Sequence, residues 1–173
     1  MENSHVMSRR SRLERPGICL LLGLSLPACI ADDYTPPGVE GPDCTSITEL
    51  VPGQPQDLVD DTGRGRDFVT ESPDFSECMA GERRGKELIF GVMPTKSGKL
   101  VATVQSDYAH HWLHTWDACP GSDADLLDCS FGSTTEDTDV NQVDEVQAGE
   151  TYYVVVDGWM GETGTFQLTL ELF

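Results

Sequence analysis

The sequence predicts an all-β fold, an antiparallel β-sandwich of two sheets, and three observations carry that expectation. From Cys44 onward apolar residues recur at every second position, the period of a half-buried strand. No stretch sustains the 3.6-residue period of an amphipathic helix. Clusters of Gly, Pro, Asp and Ser interrupt the pattern about every ten residues, the turn spacing of a two-sheet sandwich. At 173 residues the chain has room for one domain of ordinary size with a real core.

Each strand can be justified in turn. Ile47 to Val51 and Gln56 to Val59 are short strand-like runs, and Asp61 to Asp67, rich in Gly and Arg, reads as a mobile connection. Lys86 to Met93 sets Leu88, Phe90 and Val92 on one side, Pro94 to Gly98 turns the chain, and Lys99 to Ser106 answers with Leu100, Ala102 and Val104. These two runs make a hairpin with a five-residue loop. Further strands are expected at Trp112 to Asp117, Leu126 to Phe131 and Asp144 to Gln147. The end of the chain is clearest: Thr151 to Asp157 is β-rich, and Thr165 to Phe173 alternates Phe166, Leu168, Leu170 and Leu172 with Gln167, Thr169 and Glu171.

The first 28 residues read as an address rather than structure. Arg9, Arg10, Arg12 and Arg15 precede the apolar run Ile18 to Leu26, the layout of a secretory signal peptide. The run ends in Leu26-Pro27-Ala28-Cys29, which resembles a bacterial lipoprotein cleavage box and makes Cys29 the lipidation site, with Pro27 as an unusual residue there. An ordinary cleavage at Cys29-Ile30-Ala31 would instead release the chain. Residues 29–43, with Pro36, Pro37, Gly38, Gly41 and Pro42, form an extended tether, and 44–173 form the domain. The expected location is the bacterial cell envelope or the extracellular space.

Charge narrows the partners. Thirty acidic against eleven basic residues give −19, and removing residues 1–28 takes away four Arg and two Glu, leaving −21. Such a chain repels phosphate backbones and anionic lipid headgroups, so nucleic acid is not an expected partner and the membrane is met only through the lipid anchor.

Past the cleavage site four cysteines remain, Cys44, Cys78, Cys119 and Cys129, an even number suited to an oxidising compartment. Three pairings are open, and none has the CxxC spacing of a zinc or redox site. The turn-rich connection from Cys119 to Cys129 favours a local bridge, worth about 3 kcal/mol by loop entropy. Cys44 to Cys78 is then the second bridge.

The string from Ala148 to Leu170, AGETYYVVVDGWMGETGTFQLTL, resembles the closing hairpin of the bacterial pre-peptidase C-terminal domain family. Glu87 to Val104, and Leu113 to Cys119 followed by Cys129, resemble its upstream segments, so the likeness spans roughly Cys44 to Phe173. It implies a jelly-roll-like antiparallel β-sandwich of the kind appended to secreted proteases and other exported proteins, some of which bind calcium. The family domain usually follows a catalytic domain; here it would stand alone on its tether. In the closing turn, Gly158, Gly161 and Gly164 would permit positive φ, and Asp157 would accept hydrogen bonds from the turn's amides.

Catalysis finds little support. His110 and His114 have an H-x-x-x-H spacing, but on a strand such residues sit roughly 13 Å apart, and His111 stands where a zincin needs Glu. A small metal-dependent hydrolase using His110, His111 and His114 is therefore the weaker alternative. No Gly-x-Ser-x-Gly elbow is present, and a Ser/His/Asp triad cannot be assembled from spacing alone. For calcium, Asp137, Asp139 and Asn141 are the candidate donors, although Gln142 and Ala148 occupy positions where an EF-hand loop needs Gly and Glu. Period two also aligns Trp112, His114 and Trp116 on one side of a strand, and the resemblance turns Leu113 inward, which makes the aromatic row a candidate exposed ligand-binding face. The functional expectation is a non-catalytic binding or accessory module for a glycan, a wall component or an exported protein.

Overall fold

A computed structural model describes residues 43–67, 85–121 and 124–173, all within one unit, Gly38–Phe173. Among the described residues are nine strands: β1 (Ile47–Leu50), β2 (Gln56–Asp61), β3 (Leu88–Pro94), β4 (Gly98–Ser106), β5 (His111–Trp116), β6 (Leu126–Gly132), β7 (Thr138–Val146), β8 (Tyr152–Gly158) and β9 (Thr165–Leu172). They form a five-stranded sheet, β1-β3-β8-β5-β6, facing a four-stranded sheet, β2-β9-β4-β7. All neighbours pair antiparallel except β1 with β3. The all-β sandwich is as the alternation requires.

The inter-sheet core is built from the residues that alternation selects. Phe166, Leu168, Leu170 and Leu172 of β9 and Leu100, Ala102 and Val104 of β4 meet Leu113 of β5 and Val154 and Val156 of β8, each at most 2 % exposed. Fully burying one such aliphatic chain contributes about 1.5–3 kcal/mol. Phe90 meets Phe166 edge-on at 6.0 Å between centroids.

The expected hairpins are not formed: β3 and β4, and likewise β8 and β9, lie in opposite sheets, so the Pro94–Gly98 turn and the closing turn each carry the chain across the sandwich. Each expected strand is present, and β7 starts six positions earlier than the sequence suggests. Its first half inverts the usual pattern: Asp139 and Asn141 point inward and are buried, whereas Val140 is half exposed. Polar-in and apolar-out reads as a loop by composition. The segment Asp61 to Asp67 also carries more order than its glycines suggest. Asp61 caps a single 3₁₀ turn, Thr62–Arg64, by accepting from Gly63 N at 2.7 Å, and buried Thr62 exchanges hydrogen bonds with Gly164.

Strand β5 lies between β8 and β6, and all six of its residues are buried. The alternation along it is as expected: Leu113 enters the inter-sheet core, and Trp112, His114 and Trp116 share the other face. The exposure is not. These three are 3 %, 0 % and 2 % exposed, because the outer face of the five-stranded sheet is a second core, where Trp112, Trp116 and Val155 pack with Ile89, Leu126, Phe131, Tyr153 and Trp159. The aromatic row is interior and is no binding face.

The expected cysteine pairing is corrected too. Cys44 is bonded to Cys119, with 5.9 Å between Cα atoms and 75 positions of sequence between them. A local Cys119–Cys129 bridge is not formed because Cys119 is bonded to Cys44, while Cys129 lies on β6 opposite His114, against the outer aromatic core. Cys129 is itself disulfide-bonded, and Cys78 lies outside the described residues. Non-reducing peptide mapping should recover Cys44 joined to Cys119, and Cys129 joined to Cys78; a Cys119–Cys129 peptide would refute this. Replacing Cys44 and Cys119 by Ala should lower unfolding free energy by about 4–5 kcal/mol, the loop-entropy value for a closure of this length.

Candidate functional site

The three histidines that the sequence groups together are separated by the fold. His111 points between the sheets, His114 into the Trp112 and Trp116 cluster, and His110 stands in the turn ahead of β5. Alternation along β5 sends His111 and His114 to opposite faces, so they cannot share a ligand and the His-cluster hydrolase is not assembled. Among the described residues no group of three or more His, Cys, Asp or Glu is placed to hold a metal ion.

His110 belongs to a different grouping, at the sandwich end where the β4–β5 and β8–β9 connections meet. Its Nδ1 lies 3.0 Å from Glu162 Oε1. Its ring stacks on Phe131 at 6.1 Å and meets Trp159 edge-on at 5.1 Å, and Phe131 meets Trp159 at 5.9 Å. Trp159 N donates to His110 O at 2.9 Å, tying the two connections together. Trp159–Gly161 form a short 3₁₀ turn whose central residue, Met160, departs from helical dihedrals and is 65 % exposed.

The backbone here is strained. Among the described residues only His110, at φ 58°, and Met160, at φ 52°, hold positive φ without being glycine, a conformation costing on the order of 1 kcal/mol or more each. The closing-turn glycines are needed for a different reason than expected. Only Gly161 has positive φ; at Gly158 and Gly164 a Cβ would overlap the Glu162 carbonyl and the Asp107 and Tyr108 side chains. Phe131, Trp159, Met160 and Glu162 were not singled out as site residues in the sequence, because nothing in alternation or spacing marks a non-glycine residue for positive φ.

A second polar grouping lies inside. Ser106 Oγ donates to Tyr108 O at 2.6 Å and lies 2.7 Å from His111 Nδ1, while His111 Nε2 faces Asp139 Oδ2 at 3.2 Å. The residue types are those of a hydrolytic triad, brought together from β4, β5 and β7. The arrangement does not activate the serine, whose hydroxyl is buried and commits its proton to a main-chain carbonyl. Gly132 makes room for the imidazole; a Cβ there would strike its ring. Burial, with the carboxylates of Asp157, Asp107 and Asp61 nearby, pushes the Tyr108 phenol well above its usual range, so it remains a donor, reaching Asp157 O at 3.4 Å.

The calcium candidates are distributed among other tasks. Asp137 Oδ2 accepts from Ser133 N, Thr134 N and Ser133 Oγ at 2.7, 2.9 and 3.2 Å, closing the β6–β7 turn. Asp139 faces His111. Asn141 Nδ2 donates across the sandwich to Leu113 O at 2.9 Å and Asp128 O at 3.2 Å. Asp128 Oδ2 completes that corner by accepting from Gln142 N at 2.6 Å.

No protein-family model and no curated protein matches this sequence. Solved structures with a similar path include the pre-peptidase C-terminal domain of collagenase from Bacillus anthracis (9 % identity, TM-score 0.44, covering 73 % of this chain and 93 % of that one). A surface-associated copper-binding protein of Methylomicrobium album BG8 gives 8 % identity and TM-score 0.43, covering 74 % and 98 %. A periplasmic inhibitor of g-type lysozyme from Aeromonas hydrophila gives 15 % and 0.40, covering 74 % and 98 %.

The Asp137 turn makes a pH prediction. Hydrogen bonds from Ser133 and Thr134 hold its carboxyl below the ordinary 3.8. With the folded value below the unfolded one, its contribution is complete above pH 3.8 and is lost as pH falls through the lowered folded value. Acid unfolding curves should therefore descend less steeply below pH 3.8 in Asp137→Ala than in wild type; parallel curves would show that the turn does not depend on this carboxylate.

Proposed function

We propose that this protein is an exported, non-catalytic β-sandwich binding module of the pre-peptidase C-terminal kind, held at the cell envelope through lipidated Cys29 and docking a partner protein through its Trp159–Met160 turn. The observation that carries the reading is that the two residues with positive φ that are not glycine, His110 and Met160, flank one aromatic group: His110 stacks in it, and Met160 follows Trp159, whose amide is bonded to His110 O. Backbone strain persists where the surroundings over-determine it, and it concentrates at functional sites.

The chemistry of the turn favours a protein over a sugar or a cation. Phe131, Trp159 and His110 lie 5.1–6.1 Å apart between centroids, so their faces and edges are spent on one another and leave no space between rings for a cationic ligand. What projects is a flexible thioether on a fixed turn, rimmed by Glu162. Met and Trp in that setting are the anchors of a protein interface. The absence of catalysis in this reading follows from the dispersal of the histidines and the committed Ser106 hydroxyl.

Two measurements test it. Intact mass of the chain extracted from native membranes should correspond to a start at Cys29 with acyl groups; a free N-terminus at Asp32 overturns the anchor. In binding to isolated envelopes stripped of the native protein, Met160→Glu should weaken association by roughly tenfold with melting temperature within a few degrees of wild type. Trp159→Ala should weaken it as much while also lowering the melting temperature, since its ring belongs to the outer core. Undiminished binding by both variants would remove the turn from the interface.

A further inference from the structure

The interior grouping around His111 contains more acceptors than protons. Ser106 gives its only proton to Tyr108 O, so the short Ser106–His111 contact is completed by the imidazole, with Nδ1–H donating to Oγ. Nε2 then presents a lone pair to Asp139 Oδ2 at 3.2 Å. The two atoms are close enough for ionic attraction but are not aligned for a hydrogen bond, and both are buried without a hydrogen-bond partner among the described residues. Two electron-rich atoms held this way repel unless positive charge lies beside both.

Their neighbours are short of partners as well. Asn141, one inward position beyond Asp139 on β7, spends its Nδ2 on Leu113 O and Asp128 O, and its Oδ1 is buried without a donor. Ser130, one inward position before Gly132 on β6, has its Oγ buried without a partner. By register Ser130 and Asn141 stand at the level of Leu113, one inward step along from the imidazole and carboxylate pair. Buried polar atoms left unsatisfied in such a group point to an ion or a water that supplies the missing interaction.

We infer that His111 Nε2 and Asp139 Oδ2 form the protein ligands of a binding site for a divalent transition-metal ion of the zinc class. Two ligands of one tetrahedral ion with bonds of about 2.0–2.1 Å stand roughly 3.3 Å apart, close to the separation seen here. The hydrogen bond from Nδ1–H to Ser106 is the support that fixes the tautomer of a metal-bound imidazole. A nitrogen donor and a low donor count favour zinc over calcium, which takes six to eight oxygens. Entry is through Asp139, whose side chain keeps 11 % of its surface exposed, and the chain's −19 charge draws cations toward it.

The purified exported protein, stripped with EDTA and dialysed, should bind zinc chloride at one ion per chain by calorimetry and elemental analysis, and its melting temperature should rise with zinc concentration by mass action. Asp139→Asn, nearly identical in shape, should weaken zinc binding by at least about tenfold, which decides the matter even if His111→Gln does not fold. Asp144→Asn, at an exposed carboxylate of β7, should bind zinc as wild type does. The inference is overturned if no stoichiometric zinc binds, if calcium binds as tightly as zinc, or if Asp139→Asn retains full affinity. It also fails if nitrogen-15 spectra at neutral pH show His111 doubly protonated with zinc present, which would make the contact a plain ion pair.

Discussion

The rest of the structure depends on β5 being buried on both faces. A strand at the middle of a sheet with one solvated side would alternate hydrophobic and polar residues, but His111 to Trp116 is enclosed throughout. Alternation then sorts chemistry rather than polarity. His111, Leu113 and Thr115 go between the sheets, and Trp112, His114 and Trp116 go to the outer core. Two imidazoles and a threonine hydroxyl have to be buried as a result, and each buried polar group demands a partner. Much of the polar architecture of the domain answers that demand.

The answer comes chiefly from β7. Asp139 and Asn141 are turned inward, against the usual pattern, and reach His111 and the Leu113 carbonyl. Asp128 on β6 takes the Gln142 amide, so the edge strands of the two sheets are joined through side chains where no backbone ladder runs. A sandwich held at one corner by buried polar ties has a more closely specified registry than one held by aliphatic packing alone, since a slip of one residue would strand every one of those groups. At the other end of the chain's reach, the Cys44–Cys119 bridge fastens the segment before β1 to the β5–β6 connection. Its long loop is the reason it restricts the unfolded chain more than a local bridge would.

What was legible in the sequence follows from the same physics. Strands such as β9 and β4 were plain because one face is core and the other solvent, so period two is written in hydrophobicity. Leu113 inward and the Trp112 row on the opposite side were legible for the same reason. The burial of that row was not, since alternation says which residues share a face and nothing about what covers it. The first half of β7 was hidden because its inward positions are an Asp and an Asn, a composition that normally marks loops. The disulfide pairing was hidden because it depends on where β1 lies relative to β5, a non-local fact. Ser106, His111 and Asp139 come together from three strands and two sheets, so no spacing along the chain could announce them.

The strained turn is over-determined by its surroundings. Positive φ at His110 and Met160 persists because several independent contacts fix it. Trp159 N is bonded to His110 O, Glu162 holds the imidazole, and Gly158 and Gly164 allow close approaches that any Cβ would prevent. The strands on either side, β5 and β8, pair with each other along their length, so the turn cannot relax without disturbing the most deeply buried part of the fold. The same fixed scaffold that forces His111 and His114 into the interior leaves His110, one residue outside β5, as the partly exposed member of the three.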